Sequence, residues 1–163
     1  MSDRRQFLSS IFGVGARDSG ENKPFFPPPP GFCNTKIDEC FRCEDKSCKN
    51  SCPENIIILT QEGTPRLNLS SRGCTFCDDC ATACKYGCFE DGENKKIMAV
   101  ILIEILNCLA WNRTICRSCA DVCNEKAIKF LGLFHPEINS EICTSCGFCI
   151  GVCPAQAVKI KGC

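Results

Sequence analysis

The chain has 163 residues, enough for one ordinary domain or two small ones. Nineteen are cysteine, about 12% of the chain and above the roughly 8–10% that marks a cysteine-organised scaffold, so the hydrocarbon left for a core is thin. Lys+Arg and Asp+Glu both number 19, giving a net charge of zero; this excludes a nucleic-acid binder driven by a positive field, which must displace counterions from phosphates.

Residues 1–32 contain no cysteine and most of the prolines. Asp3-Arg4-Arg5-Gln6-Phe7-Leu8 has the look of a twin-arginine signal. The segment behind it, Ser9 to Ala16, is short, broken by Gly13 and Gly15, and followed by Arg17 and Asp18 without a small-residue cleavage pattern. A cytoplasmic chain with reduced thiols is therefore expected. Gly13-Val14-Gly15 lacks the third glycine and the preceding strand of a dinucleotide loop. Pro27 to Pro30, flanked by Phe25, Phe26 and Phe32, reads as a stiff spacer or a pre-extended docking peptide on a flexible arm.

From Cys33 onward the sequence repeats. The groups are Cys40-x2-Cys43-x4-Cys48-x3-Cys52, then Cys74-x2-Cys77-x2-Cys80-x3-Cys84, then Cys116-x2-Cys119-x3-Cys123 with Cys108 upstream, then Cys143-x2-Cys146-x2-Cys149-x3-Cys153. Short apolar runs follow the last cysteines at Ile56–Leu59, Cys88-Phe89, Ala127–Phe130 and Ala157–Ile160, and the two that alternate apolar and polar residues predict short strands with one wet face. Gly63 and Pro65 mark one turn, Pro136 another before Glu137–Asn139. The uneven spacing pairs groups one and two, and groups three and four. The expected architecture is α+β: two tandem bacterial-type 2[4Fe–4S] ferredoxin-like modules at 33–90 and 108–163, with helices of one or two turns. Residues 91–107 are read as an insertion or connector, and 1–32 as the Pro-rich arm. Ile97 to Leu106 is the longest apolar stretch and carries Glu104, too short for a bilayer span of about 20 residues.

A C-x2-C-x2-C-x3-C run wraps three thiolates around a cubane cluster. In two-cluster ferredoxins its fourth cysteine reaches the other cluster. Zinc sites use two separated C-x2-C pairs rather than a triplet. Groups two and four fit fully; group one is wider by two residues but keeps Cys52-Pro53; group three has Arg113 where the first cysteine belongs, and Cys108 substitutes through a longer loop. Four [4Fe–4S] clusters are expected, or three if the Cys108/Cys116/Cys119 set is vestigial. Crossed ligation assigns Cys40, Cys43, Cys48 and Cys84 to one cluster, and Cys74, Cys77, Cys80 and Cys52 to the next. Cys108, Cys116, Cys119 and Cys153 form the third set, and Cys143, Cys146, Cys149 and Cys123 the fourth. Self-contained groups use the same residues. Cys88 reads as a small buried hydrophobe, Cys163 as a spare thiol, and Cys33 as a substitute ligand for Cys48.

His135, the single histidine, excludes a Rieske centre. No machinery for transforming an organic substrate is visible, so a non-enzymatic electron-transfer protein is expected. Stability in such a chain depends on its metal, because ligands scattered along the sequence are tied to one inorganic core.

The stretch Asn107-Cys108-Leu109-Ala110-Trp111, leading to Cys116-Arg117-Ser118-Cys119-Ala120-Asp121-Val122-Cys123, resembles the NapF family of ferredoxin-type accessory proteins of the periplasmic nitrate reductase system. Pro136-Glu137-Ile138-Asn139-Ser140-Glu141-Ile142-Cys143 does too. The widened group one and Lys85 after Cys84 depart from that pattern. The resemblance implies a cytoplasmic iron–sulfur protein whose partner is the catalytic subunit of periplasmic nitrate reductase. It would assist that subunit's maturation before export, by electron delivery or cluster loading, and Arg4-Arg5 would not direct export. The competing reading is a polyferredoxin carrier between a quinol-oxidising complex and a reductase, served by a redox donor protein. Net charges of −2 for 33–90 and +1 for 91–163 steer encounter weakly, which favours a dedicated partner.

Overall fold

The structure, a computed structural model, describes residues 24–90 and 95–163; Arg4-Arg5, Gly13-Val14-Gly15 and the rest of 1–23 lie outside them. Cysteine loops leave only short apolar runs between them, so every regular element is short. The result is a small α+β fold. Its strands are β1 Ile57–Leu59, β2 Pro65–Leu67, β3 Val100–Ile103, β4 Ile128–Leu131, β5 Phe134–Ile138 and β6 Val158–Lys161. Its helices are α1 Ile37–Arg42, α2 Ser47–Asn50, α3 Asp79–Thr82, α4 Ser118–Asp121 and α5 Phe148–Gly151. Among the described residues the strands pair antiparallel as β1–β2, β4–β5 and β3–β6.

The β1–β2 hairpin turns at Gly63, whose φ of +79° suits a residue without a Cβ. The Thr60 and Thr64 hydroxyls, 2.8 Å apart, close the turn. The second hairpin differs from expectation. Pro136 does not mark its turn but lies inside β5, opposite Phe130 and beside a register shift, and the turn is made by Gly132 at φ +71°. A two-stranded ladder tolerates the proline because an edge strand has N–H positions that need no partner.

Residues 91–107, expected as a connector, contribute β3, which pairs along its length with β6 from Val100↔Lys161 to Ile103↔Val158. Just before it, Ile97 and Ala99 are buried with Ile56, Ile57, Leu67 and Leu69 in one core. A second core joins Ile101, Ile128 and Val158, and Ile150 and Ile160 pack against both. The segment is also stitched across: Ile97 N–H donates to the Thr144 carbonyl at 3.0 Å, and the buried Ser145 hydroxyl donates to the Ala99 carbonyl at 2.7 Å.

The polyproline stretch is packed down rather than standing off as a spacer. Proline lacks an N–H but keeps a carbonyl acceptor, and the Pro27 carbonyl takes the Leu67 N–H at 2.8 Å while the Pro27 side chain is fully buried. The Gly31 carbonyl accepts from Glu90 N–H at 2.8 Å, and the Phe32 and Phe89 rings meet edge to face at 5.6 Å.

Candidate metal centres

Helices α2 to α5 carry the third cysteine of each group, Cys48, Cys80, Cys119 and Cys149, and each ends two residues before the group's last cysteine. In a continued helix, residues i and i+4 would share a face. Ending the turn at Ser51, Ala83, Val122 and Val152 instead lets Cys52, Cys84, Cys123 and Cys153 point elsewhere. Four cavities result, each lined by four of these cysteines.

Site 1, about 350 Å³, is lined by Cys40, Cys43, Cys48 and Cys84. Site 2, about 460 Å³, is lined by Cys52, Cys74, Cys77 and Cys80. Site 3, about 340 Å³, takes Cys108, Cys116, Cys119 and Cys153. Site 4, about 360 Å³, takes Cys123, Cys143, Cys146 and Cys149. In every cavity three sulfurs come from one group and the fourth from its neighbour.

A backbone device repeats behind the last cysteine of each group. Three residues on, Asn55, Gly87, Lys126 and Gln156 all sit at positive φ, between 50° and 61°. Their N–H groups donate to the carbonyls of Cys52, Cys84, Cys123 and Cys153 at 3.0–3.3 Å. The next amide turns inward. Cys88, Ala127 and Ala157 N–H donate to the sulfurs of Cys84, Cys123 and Cys153 at 3.4, 3.3 and 3.2 Å. Sequence reasoning saw the small or apolar residue at this position but not the left-handed residue before it, because only one of the four is glycine. Sites 2 and 4 share a further feature: Phe76 and Ser145, two residues after the first cysteine, and Asp78 and Gly147, one after the second, are also left-handed.

Site 1 accommodates its longer loop with charge. Lys46 adopts φ 44°, and its ammonium donates to the Cys40 carbonyl. Lys85, standing where a proline usually follows the last cysteine, donates to Asp45 at 2.6 Å. That bond, with the Cys43 and Ser47 side chains, holds the Asp45 carboxyl well below the usual carboxylate range. Site 3 is completed by an amide fan. The Asn112 side chain donates to the Leu106 and Cys108 carbonyls at 3.0 and 2.9 Å and fixes the turn that delivers Cys108. Arg113, where regular spacing would place a cysteine, is at φ 61° and only shapes this loop. Trp111 closes the same side, its indole N–H donating to the Pro136 carbonyl and its ring 4.6 Å from His135.

The three remaining cysteines separate. Cys163 is exposed, and the Cys33 sulfur lies 2.8 Å from the Thr35 hydroxyl rather than on the lining of site 1. Cys88 is buried, as a small hydrophobe would be, yet it also lines site 1 as a fifth sulfur.

The donor sets fit iron–sulfur cubanes. Burial, reinforced by neighbouring thiols, pushes Cys74 and Cys119 up to about 11 and Cys80 and Cys149 up to about 12, and raises Cys40 and Cys48. Four thiolates cannot gather in such apolar pockets without a compensating positive charge, which bound iron provides. Amides aimed at sulfur are the usual partners of cluster thiolates. The sulfurs ring a space rather than converging on a point: among the described residues no three Cys, His, Asp or Glu groups come together as a lone metal ion requires.

Residues 112–157 match a family described as a 4Fe-4S dicluster domain. The chain is 33% identical over 139 residues to the ferredoxin-type protein NapF of Escherichia coli strain K12, covering 83% of each. It is 32% identical over 166 residues to the ferredoxin-type protein NapF of Haemophilus influenzae, covering 97% of this chain and 93% of that one. The ferredoxin-type protein NapG of Haemophilus influenzae is 28% identical over 146 residues, 75% of this chain and 52% of its own. The match to the dicluster domain begins after Cys108, so the loop that completes site 3 lies beyond it.

Proposed function

This chain belongs to the NapF family of ferredoxin-type proteins, and we propose on that footing that it is a four-cluster iron–sulfur protein serving a periplasmic nitrate reductase. In this reading it acts in the cytoplasm on the catalytic subunit before export, assisting maturation by handing over single electrons or clusters. Cys40, Cys43, Cys48 and Cys84 hold the cluster of site 1, and Cys52, Cys74, Cys77 and Cys80 that of site 2. Cys108, Cys116, Cys119 and Cys153 hold that of site 3, and Cys123, Cys143, Cys146 and Cys149 that of site 4. Two tandem ferredoxin-like modules, spanning sites 1 with 2 and sites 3 with 4, follow from this pairing. When bound, [4Fe–4S] clusters supply one-electron chemistry. The chain's own part is to fix the thiolates, aim amides at them and wall them with apolar side chains.

The observation that carries the reading is the set of four cavities, each lined by four group cysteines, three from one group and one from its neighbour. A relay between a quinol-oxidising complex and a reductase is the second reading, favoured by the hydrogen bond that joins a cysteine of site 2 to one of site 4. Among the described residues no helix is long and apolar enough to cross a membrane, so a relay would meet membrane partners by docking.

The two readings separate in the cell. Tagged protein co-purifying with the unexported catalytic subunit, together with low reductase activity in a deletion strain despite normal export of that subunit, supports maturation. No such complex, with reductase activity normal in reductase assays using an artificial donor but lost with quinol, supports the relay.

A further inference from the structure

The two regular sites, 2 and 4, meet back to back. Cys74 N–H donates to the Cys146 carbonyl at 2.7 Å, so one backbone hydrogen bond links a cysteine of one site to a cysteine of the other. The approach is possible because the contact is made at residues without side chains. A Cβ at Gly73 would lie 2.5 Å from the Phe148 ring, and one at Gly151 would lie 2.3 Å from the Ser71 carbonyl oxygen. Ile150, between Cys149 and Gly151, packs against the cores of both halves. Sites 1 and 2 adjoin through α2 and α3, and sites 3 and 4 through α4 and α5.

Resting on the iron–sulfur reading above, we infer that the four sites form one linear array in the order 1–2–4–3, and that the Cys74–Cys146 junction is where an electron crosses between the halves. The chain order of the sites is thus not their electrical order. The groups with irregular spacing occupy the ends, where partners reach them, and the regular ones are inside. In the crossing step a single electron passes from the reduced group held at site 2, which is oxidised, to the oxidised group at site 4, which is reduced. No bond forms or breaks and no proton moves. Its source is an external one-electron reductant, dithionite in the test.

Full-length protein purified anaerobically is compared with two double variants by electron paramagnetic resonance after dithionite reduction. Cys43→Ala with Cys116→Ala leaves sites 2 and 4; Cys77→Ala with Cys116→Ala leaves sites 1 and 4. Each should hold about eight iron atoms per chain. The first is expected to show a spectrum split by spin–spin interaction, the second a simple unsplit one. An unsplit 2+4 pair or a split 1+4 pair, at that iron content, overturns the order while leaving iron–sulfur binding intact. An iron-free parent protein overturns both. Gly151→Ala in the otherwise unaltered chain covers the case in which double variants do not fold: it should retain full iron but weaken the interaction between sites 2 and 4, and an unchanged spectrum overturns the junction.

Discussion

Sites 1 and 3 reach the same arrangement of sulfurs by opposite means. Site 1 keeps its cysteines close in sequence and absorbs two extra residues in a loop fastened by charge, with Lys46 on the Cys40 carbonyl and Lys85 on Asp45. Site 3 lacks a cysteine in its own group and borrows Cys108 through a turn held by the Asn112 amide. The surroundings differ accordingly. Near site 3 in the chain, Leu106 is 90% and Ile115 77% exposed, whereas the rim of site 1 carries ion-paired lysine and aspartate. What a cubane requires is where the sulfurs stand; the loop that brings them there is free to vary if its backbone polar groups are satisfied.

The strongest way to break this comparison is to remove the iron. Both halves should lose cooperative unfolding on anaerobic chelation, because metal binding and folding are coupled; calorimetry that found either half still melting cooperatively would show that its loop is held by protein alone. Next comes Cys108→Ala, which should lower iron from about sixteen to about twelve atoms per chain, measured by metal analysis, and leave the signals of sites 1 and 2 unchanged. Full iron retention would mean that site 3 is completed by another residue. Asn112→Ala should be milder. Stripping two good hydrogen bonds from a turn costs about 1–3 kcal/mol, seen as faster loss of one cluster's absorbance under chelator.

Smaller still is Cys88→Ala, which removes a small buried side chain at a cost of about 1 kcal/mol in denaturant titration. Iron content should not change, since Cys40, Cys43, Cys48 and Cys84 already supply the four sulfurs a cubane at site 1 needs; a drop of about four iron atoms would make Cys88 a ligand. Smallest is Lys85→Ala. Both partners of this ion pair are exposed, so salt screens it. The folded Asp45 carboxyl lies below its unfolded value, so the pair's contribution is complete above about pH 4 and fades as pH falls further. The melting difference between variant and parent should be flat from neutral pH down to about 5 and vanish in high salt.

The cysteine spacing made the sets of cysteines that line the four cavities readable, because a C-x2-C-x2-C-x3-C run has one dominant chemical use. The strands at 128–131 and 158–161 were also legible, since an alternating apolar run after the last cysteine has one face to bury. Other features left no local signal. Asn55, Lys126 and Gln156 adopt left-handed backbone without being glycine, a cost met by the hydrogen bonds each turn makes. Pro27 to Pro30 reads as a spacer because docking depends on Leu67, far along the chain. The stretch around Ile97 reads as a connector for the same reason, its partners lying at Ile56, Leu67 and Thr144. Pro136 was misplaced as a turn because the register shift that accommodates it belongs to β4 as well. Long-range contacts, rather than composition, determine each of these.

The account depends on four full cavities, and iron with acid-labile sulfide counted against protein in freshly prepared anaerobic material tests it most directly. About sixteen of each per chain is the predicted result. About twelve, with Cys108 open to alkylation, or zinc in place of iron, would contradict it.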